Sequence, residues 1–390
     1  MNHPSPPSTH PLSILLVEDS PTARFHAQVC LKNGLQGEYT LHQADCLSLA
    51  VEILAGTPVD VILLDLNLPE SRGLDTFATI TNLSGAAAIV IISGDTDENT
   101  AVRAARLGAE DYIVKGAGFT AEMLGRTVRF AIERNARRLL ERELASVRYD
   151  LEIADTIQQR LYPRSDSQFA HVTLAGRCAP VTQNGGDYYD YILRPDGSLL
   201  VVIGDVSGHG IGSAMMMIET RAFIRALARS TWRLGEILTQ VNRLIADDMQ
   251  QQLFVTLFVA QFDPSGTRMR YGSAGHPGYL LSPNGHVIKL QTDNPPLGIT
   301  PDETFHCVEV DTFEPGDLLA LFTDGISEAT RDHLVFLGER RVIQEIVSHR
   351  DQEPPRILES LFALAAEFIG HAVQQDDQTA VIVKTGAACR

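Results

Sequence analysis

Four short apolar runs near the start of the chain, each stopped by a charged or hydroxyl side chain, constrain its fold more than any other feature. Ser13-Ile14-Leu15-Leu16-Val17 stops at Glu18-Asp19, and Val59-Asp60-Val61-Ile62-Leu63-Leu64 stops at Asp65. Ala88-Ile89-Val90-Ile91-Ile92 stops at Ser93-Gly94, and Asp111-Tyr112-Ile113-Val114 stops at Lys115. Runs this short and this apolar read as buried strands. Residues 39–43 add another. Helical patterns lie between them at 23–31 behind Pro21, at 47–54, at 74–83 and at 99–107. Strands that alternate with helices predict a parallel, doubly wound α/β sheet.

In such a sheet the site lies beyond the carboxyl ends of the strands. Those ends bring Glu18, Asp19, Asp65, Ser93 and Lys115 to one edge. Clustered carboxylates repel one another and call for a cation, and oxygen-only ligands suit Mg²⁺. A carboxylate held there can attack a phosphoryl group as a nucleophile. A nearby hydroxyl and an ammonium can then bind the new phosphate. On these residues, 11–134 resembles a two-component receiver domain, whose fold is flavodoxin-like. The resemblance implies that Asp65 is the phosphoacceptor, and that Glu18, Asp19 and Asp65 hold one Mg²⁺. It makes Ser93, Tyr112 and Lys115 the switch hydroxyl, aromatic and lysine, and a histidine kinase the phosphoryl donor. Gly116 follows Lys115 where the family usually has proline, which loosens the next loop.

A long polar helix is expected from about Ala121 to Leu161, free of Gly and Pro after Gly125. Leu140, Leu144, Val147, Leu151, Ala154 and Leu161 alternate in steps of four and three, with Gln158 in the remaining seam position. This 4-3 repeat is a coiled-coil seam, and a single polar seam residue fixes register. The expected linker is 135–164, joining two protomers as a homodimer. The bland alternative is a helix packed on one of its own domains. A hinge is expected at 164–168, after Pro163.

The rest of the chain, 165–390, has another texture. Strand-like runs lie at 172–178, 199–203, 254–262, 269–273, 286–290, 305–310, 318–322 and 380–383. Helices are expected at 213–228, 234–249, 339–347 and 355–373. Strands joined by turns such as Pro195-Asp196-Gly197, with helices in blocks, predict α+β with antiparallel sheets. Acids recur at the strand edges, in Gly185-Gly186-Asp187, Gly204-Asp205-Val206, Thr323-Asp324-Gly325 and Asp376-Asp377. No Cys/His set with zinc spacing accompanies them. Hard oxygen ligands in this number suit two Mn²⁺ or Mg²⁺ ions, which can activate water and grip a phosphoryl oxygen.

These motifs, with Gly204 to Gly210, Ala274-Gly275-His276-Pro277, Pro296-Leu297-Gly298 and Pro315-Gly316-Asp317, resemble the SpoIIE-type branch of the PPM serine/threonine phosphatases. The resemblance implies an antiparallel β-sandwich flanked by helices. It makes Asp205 the acid that bridges two ions, with the Val206 carbonyl on one of them. Asp324 and Asp376 would hold the other ion, Asp187 would hold or orient water, and Asp377 would support Asp376. His276 reads as part of a structural turn, and Met215 to Met217 as core packing. The family also implies a phosphorylated anti-sigma-factor antagonist as substrate, in a partner-switching pathway. A non-enzymatic adaptor is the rival, but an adaptor is expected to have lost Asp205 or Asp324.

Bulk properties narrow the classes. At 390 residues the chain is long enough for two domains. A formal net charge of -17 and the lack of a helix-turn-helix pattern disfavour nucleic-acid binding and a DNA-binding output. Five scattered cysteines, an odd count, suggest a reducing cytoplasm. Residues 1–10 read as a disordered tail without a signal core. No run approaches the roughly 20 apolar residues of a membrane span.

Overall fold

The computed structural model describes residues 11–94, 98–116, 118–163, 166–181, 185–230, 232–249, 253–310 and 313–385. The expected tail at 1–10 lies outside them, as do 164 and 165 of the expected hinge. The described chain divides into two compact units, Met1–Arg148 and Tyr149–Arg390. None of its helices is long and apolar enough to cross a membrane.

The first unit runs β1 (Leu12–Val17), α1 (Pro21–Gly34), β2 (Tyr39–Ala44), α2 (Leu47–Gly56) and β3 (Val61–Leu64). A two-residue hairpin follows, β4 (Asn67–Leu68) and β5 (Ser71–Arg72). Then come α3 (Leu74–Leu83), β6 (Ala88–Ser93), α4 (Glu98–Arg106), β7 (Asp111–Val114) and α5 (Ala121–Gln159). Helix α1 begins where Pro21 fixes φ and the Ser20 hydroxyl accepts the Ala23 amide. The five main strands pair in parallel in the order β2-β1-β3-β6-β7. Strand residues facing one way pack on α1 and the start of α5, through Leu31, Leu124 and Val128. Those facing the other way pack on α2, α3 and α4, through Ala50, Phe77 and Ala104. Alternate residues of the same buried strands therefore serve two cores, as a doubly wound sheet requires.

Helix α5 leaves its sheet at Asn135, whose side-chain amide donates to Ala86 O at 2.6 Å. Beyond it Leu140, Leu144 and Val147 are exposed.

The second unit begins inside α5 and continues through β8 (Asp166–Phe169), β9 (Val172–Ala179), β10 (Tyr188–Leu193) and β11 (Leu199–Val206). Next are α6 (Ile211–Leu227), α7 (Leu234–Met249), β12 (Val255–Phe262), β13 (Met269–Ala274), β14 (Gly278–Leu281), β15 (Val287–Leu290) and β16 (Val308–Val310). The chain closes with β17 (Leu318–Phe322), α8 (Asp324–Ser327), α9 (Glu339–His349), α10 (Pro354–Ile369) and β18 (Gln378–Thr385). Two antiparallel sheets form, β10-β11-β12-β13-β16 and β15-β14-β17-β18-β9-β8. Their inner faces meet through Val201, Ile203, Phe258, Leu319, Leu321 and Val381. Helices α6 and α7 cover the outside of one sheet, and α9 and α10 the outside of the other. The result is a β-sandwich between two helical layers.

Four local expectations need correction. Residues 166–168 of the expected hinge are strand, because β8 pairs with β9 from Asp166 onward. The strand expected at 305–310 is paired only over Val308–Val310, because Phe305 turns into the core and gives its amide to Thr239 Oγ1. The last helix ends at Ile369 rather than 373, because Gly370 takes φ 66°. Met216 and Met217 are core residues, but Met215 points outward on α6.

Candidate active site

Two acidic clusters stand at strand ends, one in each unit. In the first unit, β1 ends at Glu18 and Asp19, and β3 ends at Asp65. Oxygens of the three carboxylates lie within 4.8 Å of one another, with Glu18 and Asp65 buried and Asp19 exposed. Lys115, just past β7, places Nζ 2.5 Å from Asp65 Oδ2 and 2.6 Å from Glu18 Oε2. Burial raises the Glu18 carboxyl above its usual range, with Lys115 opposing. Burial also works against the Lys115 ammonium, but its bonds to Asp65 and Glu18 outweigh this and raise its pKa. Ser93, fully buried, ends β6. Tyr112 lies on β7. The parallel ladder thus gathers all six expected residues onto the sheet edge or the strand beside it. Three converging carboxylates, one open to solvent, fit a single hard cation.

In the second unit the acids come from both layers of the sandwich. Asp187 precedes β10, and Asp205 and Val206 end β11. Asp324 opens α8 after β17, and Asp376 and Asp377 precede β18. After Val206, Gly208 and Gly210 take φ of 84° and 87°, which turns the chain from strand into helix α6. Burial, then the charges of Asp324, Asp376 and Asp377, push the Asp205 carboxyl up to about 7. Burial and the neighbouring Asp205 raise Asp187 well above the carboxylate range. Burial also raises Asp376. Among the described residues, no lysine or arginine forms an ion pair with Asp187, Asp205, Asp324 or Asp376. A Cβ on Gly186 would sit 3.0 Å from the Val206 carbonyl oxygen, so glycine keeps that oxygen clear. Mutually repelling acids with no basic side chain paired to them among the described residues, beside the Val206 carbonyl oxygen, are donors that divalent metal takes, although no three of their ligand atoms close to within 4.8 Å of one another as the receiver's do.

The supporting contacts join the two sheets. Thr323 Oγ1 donates to Asp187 Oδ2 at 2.9 Å and accepts the Thr379 amide at 3.0 Å. Asp377 spends one oxygen on the Val181 amide (2.8 Å) and the other on the Gly186 amide (2.7 Å). It therefore clamps the loop before Asp187, a positioning task, while Asp376 Oδ1 accepts the Asp377 amide at 2.8 Å.

His276 is buried and held by Thr256 Oγ1 at 3.0 Å; burial lowers its pKa to about 4. It is a neutral core histidine in a turn, where Ser273 Oγ donates to its carbonyl oxygen at 2.7 Å.

Gln158 requires the largest correction. It is only 2% exposed, so it offers nothing to the seam of a second helix. Its Nε2 donates to Gly185 O at 2.7 Å, and its Oε1 accepts the Gly185 amide at 3.1 Å. Four residues on, the Tyr162 hydroxyl donates to Asp187 O at 2.8 Å, and its ring stacks on Tyr189. Sequence reasoning missed Tyr162 altogether. The end of α5 and the turn after it thus hold the backbone of the first acid motif. The only hint in the sequence was a polar residue interrupting an apolar repeat.

Comparison with known proteins follows this division. Residues 14–124 match the response regulator receiver domain, and residues 195–386 match Stage II sporulation protein E (SpoIIE). The chain is 28% identical to Protein IcfG of Synechocystis sp. over 267 residues, covering 60% of this chain and 41% of that one. It is 28% identical to Phosphoserine phosphatase RsbU of Bacillus subtilis over 203 residues, covering 52% of this chain and 59% of that one. It therefore spans less than two thirds of either relative. The SiaA-PP2C domain of Pseudomonas aeruginosa superposes with a TM-score of 0.54 at 23% identity, over 62% of this chain and 97% of that one, a likeness of fold.

Proposed function

This chain carries a response-regulator receiver domain and a SpoIIE-type PPM phosphatase domain, and from that premise we propose that it is a protein serine/threonine phosphatase under receiver control. One observation carries the reading: Asp187, Asp205, Asp324 and Asp376 are brought within electrostatic reach of one another from two sheets, and among the described residues no basic side chain pairs with them. Asp205, the Val206 carbonyl, Asp324 and Asp376 would hold the two divalent ions that the family resemblance implies. Such ions, Mn²⁺ or Mg²⁺, supply an activated water and a grip on the phosphoryl oxygens. Asp187 orients water from the floor of the site, fixed by Thr323. Asp377 and Gln158 keep its loop in place.

In the receiver, the Asp65 carboxylate forms a bond to phosphorus as the P–N bond of a kinase phosphohistidine breaks. Glu18, Asp19 and Asp65 would hold one Mg²⁺ there. Lys115 then moves its ammonium from the Asp65 carboxylate to the new phosphoryl oxygens, and Ser93 donates to them. Helix α5 is the proposed conduit, because its far end grips Gly185 through Gln158. Exposed Leu140, Leu144 and Val147 suit pairing with the same helix of a second copy. The family resemblance extends the reading to a phosphorylated anti-sigma-factor antagonist in a partner-switching pathway in the cytoplasm.

The test is hydrolysis of an aryl phosphate by the full chain, with Mn²⁺ or EDTA, with and without beryllofluoride. Metal-dependent turnover that beryllofluoride alters, and that Asp65→Asn no longer lets it alter, is the expected result. Turnover indifferent to beryllofluoride removes receiver control. No turnover of this compound or of phosphoserine peptides removes the phosphatase and favours the adaptor.

A further inference from the structure

The fold does not explain an apolar prong beside the acid site. Leu334, Val335 and Phe336 follow one another, with 82%, 56% and 49% of their surfaces open to solvent. Consecutive exposed apolar residues are unfavourable on an isolated soluble chain unless they serve a contact. The loop that presents them is held in shape. Asp332 Oδ1 accepts the amides of Leu334 and Val335 at 3.0 and 3.1 Å. Thr330 Oγ1 donates to Val335 O at 2.8 Å and accepts the His333 amide at 3.0 Å. Thr330 and Phe336 pair across the neck of the loop. His333 takes φ 61°, a strained conformation that persists only where its surroundings enforce it.

The prong is continuous with the site. Its neck follows α8, which Asp324 opens, and the Gly338 amide closes it onto Ser327 O at 2.7 Å. Glu328, at its base, is near enough to Asp376 for their charges to interact. Arg331 donates to Phe368 O at 3.2 Å and so ties the prong to the end of α10. The next loop exposes Val373 (74%) before it reaches Asp376. Exposed apolar groups therefore sit on the loop that follows the Asp324 helix and on the loop that leads into Asp376. Their place beside the acids, together with the charge of the chain, bears on what covers them. A chain of net charge -17 repels an anionic phosphoprotein at long range, so its grip around the phosphate has to come from short-range apolar contact.

We infer that the 330–336 loop docks the protein substrate, with Leu334 and Val335 packing on aliphatic side chains beside the phosphorylated serine or threonine. This rests on the phosphatase reading above. The test uses the full chain with Mn²⁺ and three substrates. They are an aryl phosphate and two phosphoserine peptides of equal length and charge, one flanked by leucines and the other by serines. Wild type should prefer the leucine peptide by about tenfold in kcat/KM, the size expected for partial burial of two aliphatic groups. In Leu334→Ser/Val335→Ser the preference should fall close to one. Both side chains are exposed, so the melting temperature should stay put, and circular dichroism checks this.

Aryl phosphate turnover with equal rates on the two peptides, or with neither peptide cleaved, overturns the prong and keeps the phosphatase. So does a preference that survives the double substitution. Absence of turnover on all three overturns the phosphatase and the prong together. A sedimentation mass that drops in the double variant assigns the prong to a second copy and overturns substrate docking.

Discussion

The two acidic clusters solve the same electrostatic problem by different means. In the receiver, a lysine inside the cluster touches two of the three carboxylates, at 2.5 and 2.6 Å. The cluster is compensated before any metal arrives, and its ligand oxygens already converge. In the phosphatase unit no lysine or arginine among the described residues pairs with the acids, and burial plus mutual repulsion drive two of them toward the neutral form. Neutral hydrogen bonds from Thr323, Gln158 and Tyr162 hold that site, together with the Asp377 clamp. A built-in cation suits the proposed role of Asp65, which is to carry a phosphoryl group and then release its partner. A site left short of positive charge suits the proposed use of metal for both charge balance and chemistry.

That contrast can be broken at several points. The largest effect is expected at Asp205 or Asp324. Asn at either position should lower Mn²⁺-dependent hydrolysis by about a thousandfold, since each removes a ligand worth several kcal/mol. Circular dichroism should be unchanged, and near-full activity would dissolve the two-metal assignment. Gln158→Ala comes next. It frees both backbone groups of Gly185, and Mn²⁺ affinity measured by calorimetry should weaken by about tenfold or more, as for other outer-sphere supports. An unchanged affinity would reduce the Gln158 contact to helix packing.

The pH dependence sharpens the comparison further. Asp205 titrates near 7 when folded, against 3.8 in the unfolded chain. Between those values the folded, metal-free protein keeps a proton that the unfolded chain has lost. Its stability therefore falls as pH rises through this window and levels off above about 7. Metal must displace that proton, so Mn²⁺ affinity should rise about tenfold per pH unit up to about 7. The Mn²⁺-induced gain in melting temperature should then be greater at about pH 8 than at about pH 6. An equal gain would mean that Asp205 is already ionised.

The smallest effect is expected at Lys115. Lys115→Met leaves the receiver carboxylates as uncompensated as those of the phosphatase. Metal-free stability should drop by about 1–2 kcal/mol, discounted for a partly exposed lysine. Mg²⁺ should restore it, with a larger thermal shift than in wild type. A variant indifferent to Mg²⁺ would show that the lysine does not stand in for metal.

Much of both sites was legible beforehand because strand ends are local features. The apolar runs stop at Asp65, at Ser93 and before Asp324, and a strand that stops at an acid presents that acid at a sheet edge. Helix limits were less legible where a single backbone angle decided them, as at Gly370. The 4-3 repeat gave the exposed face of α5 at Leu140, Leu144 and Val147, yet the same repeat misplaced Gln158. A period states which face a residue occupies. It does not state whether the neighbour on that face is a second helix or the chain's own loop.

The sequence by itself determined the two-part organisation, the parallel sheet, the antiparallel sandwich and the acids at their edges. These follow from apolar period and turn chemistry, which act within a few residues. Only the tertiary structure decided the partner of each polar side chain. Asp377 reaches 191 residues back to Gly186, and Gln158 reaches 27 residues forward to Gly185. The same holds for Met215, which leaves the core that its two neighbours enter. A buried hydrogen bond depends on where two distant backbones come to rest, and no local pattern encodes that distance.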